Sequence, residues 1–210
     1  MTSQALPPAG SAGAERRSKI TPEREQEFFD AVLEQIRESG YDAVTMEGVA
    51  ARTRSSKSTL YRQWGTKPRF VAAALRSSPR ARLAGIDTGT LAGDLREAAR
   101  LAGEWSTRDT PLLQALAHAV TRDRELARAL REALVDPEVA ALEEILRRGV
   151  ERGEVEAGNP ALAHVPAQIF GVLRGRPLLE GRHADPEYLL AFVEASVLPV
   201  LGLTPGGLRK

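Results

Sequence analysis

Residues 45–75 read TMEGVAARTRSSKSTLYRQWGTKPRFVAAAL. Two short helices joined by a polar break, followed at once by a third, account for this run. Thr45 stands where an N-cap belongs, ahead of a small apolar face made by Met46, Val49 and Ala50. Thr53-Arg54-Ser55-Ser56 interrupts the helical period, because short hydroxyl side chains compete for backbone hydrogen bonds and favour turns and caps. Ser56 can cap a second helix running to about Trp64, and Thr66 a third. Pro68 falls in the first turn of that third helix, where a missing N–H costs nothing. Helix, tight turn, helix is the geometry that lays a second helix into a major groove.

The wheel of the second helix supports that use. At about 100° per residue, Leu60 and Trp64 share a face and back onto the preceding helix. Ser58 and Arg62 point the other way, with Thr59 beside them and Lys57 and Tyr61 along one flank. An isolated amphipathic helix of this length would read simply as solvated; charge decides against that. Between positions 46 and 80 stand Arg52, Arg54, Lys57, Arg62, Lys67, Arg69, Arg76 and Arg80, against the single acid Glu47. The whole chain carries only +1. Such a local field attracts a polyanion.

With Gly40-Tyr41-Asp42 ahead of it, the sequence Thr45…Val49-Ala50, then Ser56-Lys57-Ser58-Thr59-Leu60-Tyr61, Trp64 and Lys67, resembles the DNA-binding segment of TetR-type (tetracycline-repressor-like) bacterial transcription regulators. The resemblance spans residues 25–75; beyond them only the helical layout is similar. It implies an all-α fold, with an N-terminal three-helix helix-turn-helix domain and a C-terminal helical domain for ligand binding and dimerisation. It also implies that Ser58, Thr59, Tyr61 and Gln63 sit at DNA-contacting positions, with Lys67 on a phosphate. The family places glycine and then an apolar residue in the turn, where this chain has Arg54 and Ser55. Arg54 is therefore expected at positive φ, at a cost of roughly 1 kcal/mol, with a phosphate in reach. Arg62 and Lys57, then Ser58 and Gln63, are the expected base readers. Tyr61, Thr59, Lys67 and Thr45 are better suited to phosphates, and Arg54 and Ser56 complete the set.

Composition agrees with a helical fold. Ala, Leu, Arg and Glu dominate, aromatics are scarce at 5%, and few windows alternate as strands do. The absence of cysteine excludes disulfides, thiolate zinc sites and cysteine catalysis. His118, His164 and His183 are dispersed, without the spacing of a metal or catalytic site, and no glycine-rich phosphate loop follows a strand. No enzymatic activity, metal or cofactor is expected. No apolar run approaches the roughly 20 residues of a membrane span, and the N-terminus lacks an apolar signal core. A cytoplasmic protein with no membrane partner is the expectation.

Residues 1–80 hold 13 basic and 9 acidic side chains, and the remainder 16 and 19. A basic module on a mildly acidic body suggests a DNA reader carrying a sensing or assembly domain. Residues 1–19, rich in Ala, Pro, Gly and Ser, form a tail expected to be disordered, whose Arg16, Arg17 and Lys19 add non-specific attraction. The helix-turn-helix domain is expected over 20–78, its first helix opening at Thr21-Pro22 with Phe28, Phe29, Val32 and Ile36 as core. The effector-binding and dimerisation domain follows over 79–210. Its helices are expected near 91–105, from Asp109 to about 120, from Asp123 to about 134, and afresh from Asp136-Pro137 to 152. Two more begin at Asn159-Pro160 and Asp185-Pro186. The apolar run 112–120 implies burial.

Leu162, Val165, Ile169, Val172 and Leu173 make one late stripe; Leu189, Leu190, Phe192, Val193, Val197, Leu198 and Val200 make another. Such helices are buried within the chain or paired with a second copy. One short recognition helix reads too few bases alone, which favours a homodimer on a two-fold operator in double-stranded DNA. The resemblance agrees, since such regulators usually pair through their last two helices, and it implies a small-molecule effector in the C-terminal domain. Trp105, His118 and Gln168 are candidate effector contacts, each also explicable as core packing. The resulting expectation is a repressor released from a palindromic operator by its ligand. A constitutive DNA binder without an effector, or a helical small-molecule-binding protein or enzyme, are the alternatives.

Overall fold

A computed structural model describes residues 20–78, 82–107 and 110–204, which are helical throughout their regular elements and contain no strand. The expected tail, the 79–80 boundary and the Asp109 cap lie outside the described residues. Four helices make the N-terminal head: α1 (Pro22–Ser39), α2 (Met46–Arg52), α3 (Lys57–Trp64) and α4 (Lys67–Ser77). The cap residues do what their chemistry predicts. Thr21, Thr45, Ser56 and Thr66 each accept a hydrogen bond from a first-turn N–H of the helix they open. Gly40 and Gly65 end α1 and α3 at φ 80° and 76°, a conformation strained for any side chain with a Cβ.

The body comprises α5 (Leu91–Thr107), α6 (Thr110–Val120), α7 (Arg124–Leu130), α8 (Asp136–Glu151), α9 (Val165–Glu180) and α10 (Pro186–Phe192). Three departures from the sequence expectations have local causes. Asp136-Pro137 starts no new helix: α7 passes through a π turn, Arg131–Val135, straight into α8. The wider turn absorbs the donor that Pro137 lacks. Asn159 caps only an Asx turn, its Oδ1 accepting from Ala161 N at 2.9 Å, and a 3-10 turn over Leu162–His164 precedes α9. Among the described side chains of α6, Leu112, Leu116 and Ala119 are buried, while Gln114, Ala117 and His118 are exposed. Helical period, not the apolar run, decides which side is covered.

Two apolar clusters hold the chain. One contains Leu91, Leu95, Leu142, Ile145, Val165, Ile169, Leu189, Val193 and Leu198 of the body. Here α5 and α10 cross so closely that a Cβ on Gly103 would stand 2.5 Å from backbone atoms of Pro186. The other gathers Phe28, Phe29, Val32, Ile36, Val49, Leu60 and Phe70 of the head, and with them Leu112, Leu116, Ala119 and Leu126 from α6 and α7. The head's core is thus completed by residues 35 or more positions beyond the end of its last helix.

Candidate DNA interface

α3 is gripped from behind. Leu60 is fully buried, and the half-buried Trp64 stacks on Phe70 with ring centroids 4.4 Å apart while meeting Phe28 edge-on at 5.6 Å. Its ring contacts therefore reach α1 and α4, beyond the preceding helix it was expected to back onto. Aromatic contacts of this kind fix the roll of a short helix that could not hold its own orientation. Lys57, Ser58, Arg62 and Gln63 are exposed, Tyr61 is 45% exposed, and Thr59 is half-buried.

The turn ahead of α3 is equally determined. Thr53 Oγ1 donates back to Val49 O at 2.8 Å, Ser55 N donates to Ala50 O at 2.8 Å, and the Arg24 guanidinium of α1 donates to Thr53 O. Between them Arg54 takes φ 49°, and among the described residues no other non-glycine has positive φ. The hydroxyls of Ser56, Ser58 and Thr59 converge at the N-terminus of α3, with Ser56 Oγ 2.8 Å from Ser58 Oγ and 2.9 Å from Thr59 Oγ1. Lys57 Nζ lies 3.7 Å from Glu47 Oε1, an exposed pair that contributes little and leaves the cation free to exchange partners. Thr45 sits at the N-terminus of α2, its hydroxyl on Gly48 N at 3.0 Å.

Lys67 is held differently. Its ammonium donates to Tyr41 O at 3.1 Å and lies 4.1 Å from the centroid of the Tyr41 ring, and burial lowers its pKa. Tyr41 in turn donates its phenol proton to Asp123 Oδ2 at 2.9 Å, and Thr66 Oγ1 donates to Glu125 Oε1 at 2.8 Å. Burial and the neighbouring carboxylate raise the Tyr41 phenol well above its ordinary value. The structure brings Arg54, Ser56, Lys57, Ser58, Thr59, Tyr61, Arg62 and Gln63 onto the turn and α3, with Thr45 opening α2 and Lys67 opening α4 beside Tyr41. Sequence reasoning missed Arg24 and the Tyr41–Asp123 bond. No local pattern signals pairs separated by 29 and 82 residues.

The effector candidates do not form one cluster of equal standing. Trp105 on α5 and Gln168 on α9 are half-buried, whereas His118 is exposed on α6. Gln168 Oε1 is buried without a hydrogen-bond partner. Among the described residues no group of three or more His, Cys, Asp or Glu is placed to hold a metal, and no helix is long and apolar enough to cross a membrane.

A reading helix turned polar side out, carried on a second helical domain, is the build of a helix-turn-helix transcriptional regulator. Residues 28–74 match the family described as bacterial regulatory proteins, tetR family, and residues 86–196 match the tetracyclin repressor-like C-terminal domain. An uncharacterized HTH-type transcriptional regulator of Mycobacterium tuberculosis is 29% identical over 87% of this chain and 90% of its own. The DNA-binding transcriptional repressor TetR of Mycobacteroides abscessus is 32% identical over 62% of this chain and 70% of its own. The crystal structure of the TetR family transcription regulator SCO0332 superposes with a TM-score of 0.62 at 28% identity, covering 87% of this chain and all of that one. This chain belongs to the TetR family of transcriptional regulators.

Proposed function

We propose that this regulator is a homodimeric repressor that reads a pseudo-palindromic operator with paired α3 helices and leaves it when a small molecule binds its C-terminal domain. One observation carries the DNA half of the reading: Leu60 and Trp64 clamp α3 so that Lys57, Ser58, Tyr61, Arg62 and Gln63 all face outward. Arg62 and Lys57 read base edges with Ser58 and Gln63, while Thr45, Arg54, Ser56, Thr59, Tyr61 and Lys67 serve the phosphates. Residues 20–78 do the reading, and 79–210 bind the effector and dimerise.

The dimer half rests on α9 and α10. Leu178 and Leu179 are 88% and 86% exposed at the end of α9, and positions Gly171 and Gly175 open onto empty space. Two bare leucines beside a glycine face suit a close helix pairing with a second copy. Arg176 fixes the hairpin behind that face, its guanidinium 3.6 Å from the Tyr188 ring centroid and donating to His183 O and Glu180 Oε2. For the effector, the unpaired Gln168 oxygen is the strongest support, since a ligand donor would relieve a buried acceptor. Trp105 and His118 complete the proposed contacts. A regulator of this kind works in the cytoplasm. Selection of bound fragments from sheared genomic DNA by the purified protein tests the reading: enrichment of an inverted repeat is expected, and enrichment of no common sequence would overturn it.

A further inference from the structure

We propose that the turn joining α6 to α7 is a second phosphate-binding element, through which the C-terminal domain itself touches the DNA backbone beside the reading head. This rests on the DNA-regulator reading above. The turn is docked on the head by its acids. Asp123 receives the Tyr41 phenol through Oδ2 and caps α7 at Leu126 N through Oδ1, and Glu125 receives the Thr66 hydroxyl. Lys67 stands close enough to Asp123 to help hold its carboxyl below the usual range, after the larger effect of the Leu126 N–H. Residues 122–125 are thereby fixed against the N-terminus of α4.

The acids being turned inward, the outward charge of this corner is positive. Arg122 and Arg124 flank Asp123, are exposed, and have no side-chain ion pair among the described residues. Arg69, in the first turn of α4, is exposed and unpaired in the same way. One exposed acid, Asp42, stands next to Tyr41 and within electrostatic reach of Lys67. Arg128, one turn further along α7, already faces Glu132 at 3.8 Å. The basic surface of the head therefore continues onto the second domain for two arginines and then stops. Unpaired arginine forks at the edge of a DNA-reading surface suit phosphate oxygens, contacts that position a protein on the duplex without reading sequence.

The test is a salt titration of the full-length protein by fluorescence anisotropy, on a labelled duplex carrying its selected site and on an unrelated duplex. Arg122→Gln with Arg124→Gln should flatten the slope of log affinity against log salt by about 2 per bound head, equally on both duplexes. Arg128→Gln should leave that slope at its wild-type value. An unchanged slope in the double variant overturns the proposal, as does an equal flattening by Arg128→Gln, which would reduce the effect to net charge. Salt-dependent wild-type binding with an unaltered variant slope removes only this corner. Wild-type protein without salt-dependent duplex binding would remove the regulator reading along with it.

Discussion

α3 and α9 each leave one face uncovered, and the two faces are opposite in chemistry. α3 offers hydroxyls, two cations and a tyrosine, and is anchored from behind by Leu60 and Trp64. α9 offers Leu178 and Leu179 beside glycines. An uncovered polar face costs a monomer nothing, since water satisfies it. Bare leucines leave about 25 cal/mol per Å² of burial unclaimed. Under the proposed function α3 awaits a hydrated, charged partner and α9 a dry one, and the two partners can be removed separately.

The largest effect is expected at the dry face. Leu178→Lys with Leu179→Lys should convert dimer to monomer in analytical ultracentrifugation, a loss of 2 kcal/mol or more in association of the order seen at interface hot spots. The monomer should melt normally, because both side chains are exposed already. A variant that still sediments as a dimer would move the interface elsewhere and dissolve the contrast. At the wet face, Arg62→Ala should cost about 1–3 kcal/mol on the operator and much less on unrelated duplex, read by competition binding. Equal weakening on every sequence would demote Arg62 to a backbone contact.

Two smaller effects test what lies behind these faces. Gly103→Ala should lower the melting free energy by about 1–3 kcal/mol, because the new methyl meets the backbone of Pro186, which has no rotamer to yield. Melting at the wild-type temperature would mean that α10 shifts easily on α5. Smallest is Tyr41→Phe, at about 1 kcal/mol near neutral pH. The carboxyl of Asp123 is held below its unfolded value, so its contribution is present above the ordinary carboxylate range near pH 3.9 and lost as acid protonates the folded state. The gap between wild type and Tyr41→Phe in denaturant melts should therefore close in acid. A gap constant across that range would remove Asp123 from the bond.

The head was largely legible in the sequence, for a local reason. Thr45, Ser56 and Thr66 are short hydroxyl residues set just before apolar periods, and each caps the helix so announced. Arg54 at φ 49° was expected on another ground, the resemblance to a family that places glycine at that position. The body was less legible. Asp136-Pro137 carries the same cap-and-proline signal as Asp185-Pro186, yet one lies within a continuous helix and the other opens α10. What separates them is the approach: the chain ahead of Asp136 is already helical through the π turn, whereas Asp185 is extended at φ −67° and ψ 170° and caps a fresh helix. The candidate reading residues were named from the helix wheel and the family resemblance together, whereas Arg24 on Thr53 and Tyr41 on Asp123 are made by the fold alone.

Because Leu112, Leu116, Ala119 and Leu126 close the floor beneath Phe28, Val32 and Phe70, the reading head has no separate foundation. A fragment cut after Ser78 would stand on a wetted apolar underside, so a minimal autonomous reader must extend through α7 to residue 130. The gene segment that folds as one brick is thus longer than the segment that touches DNA.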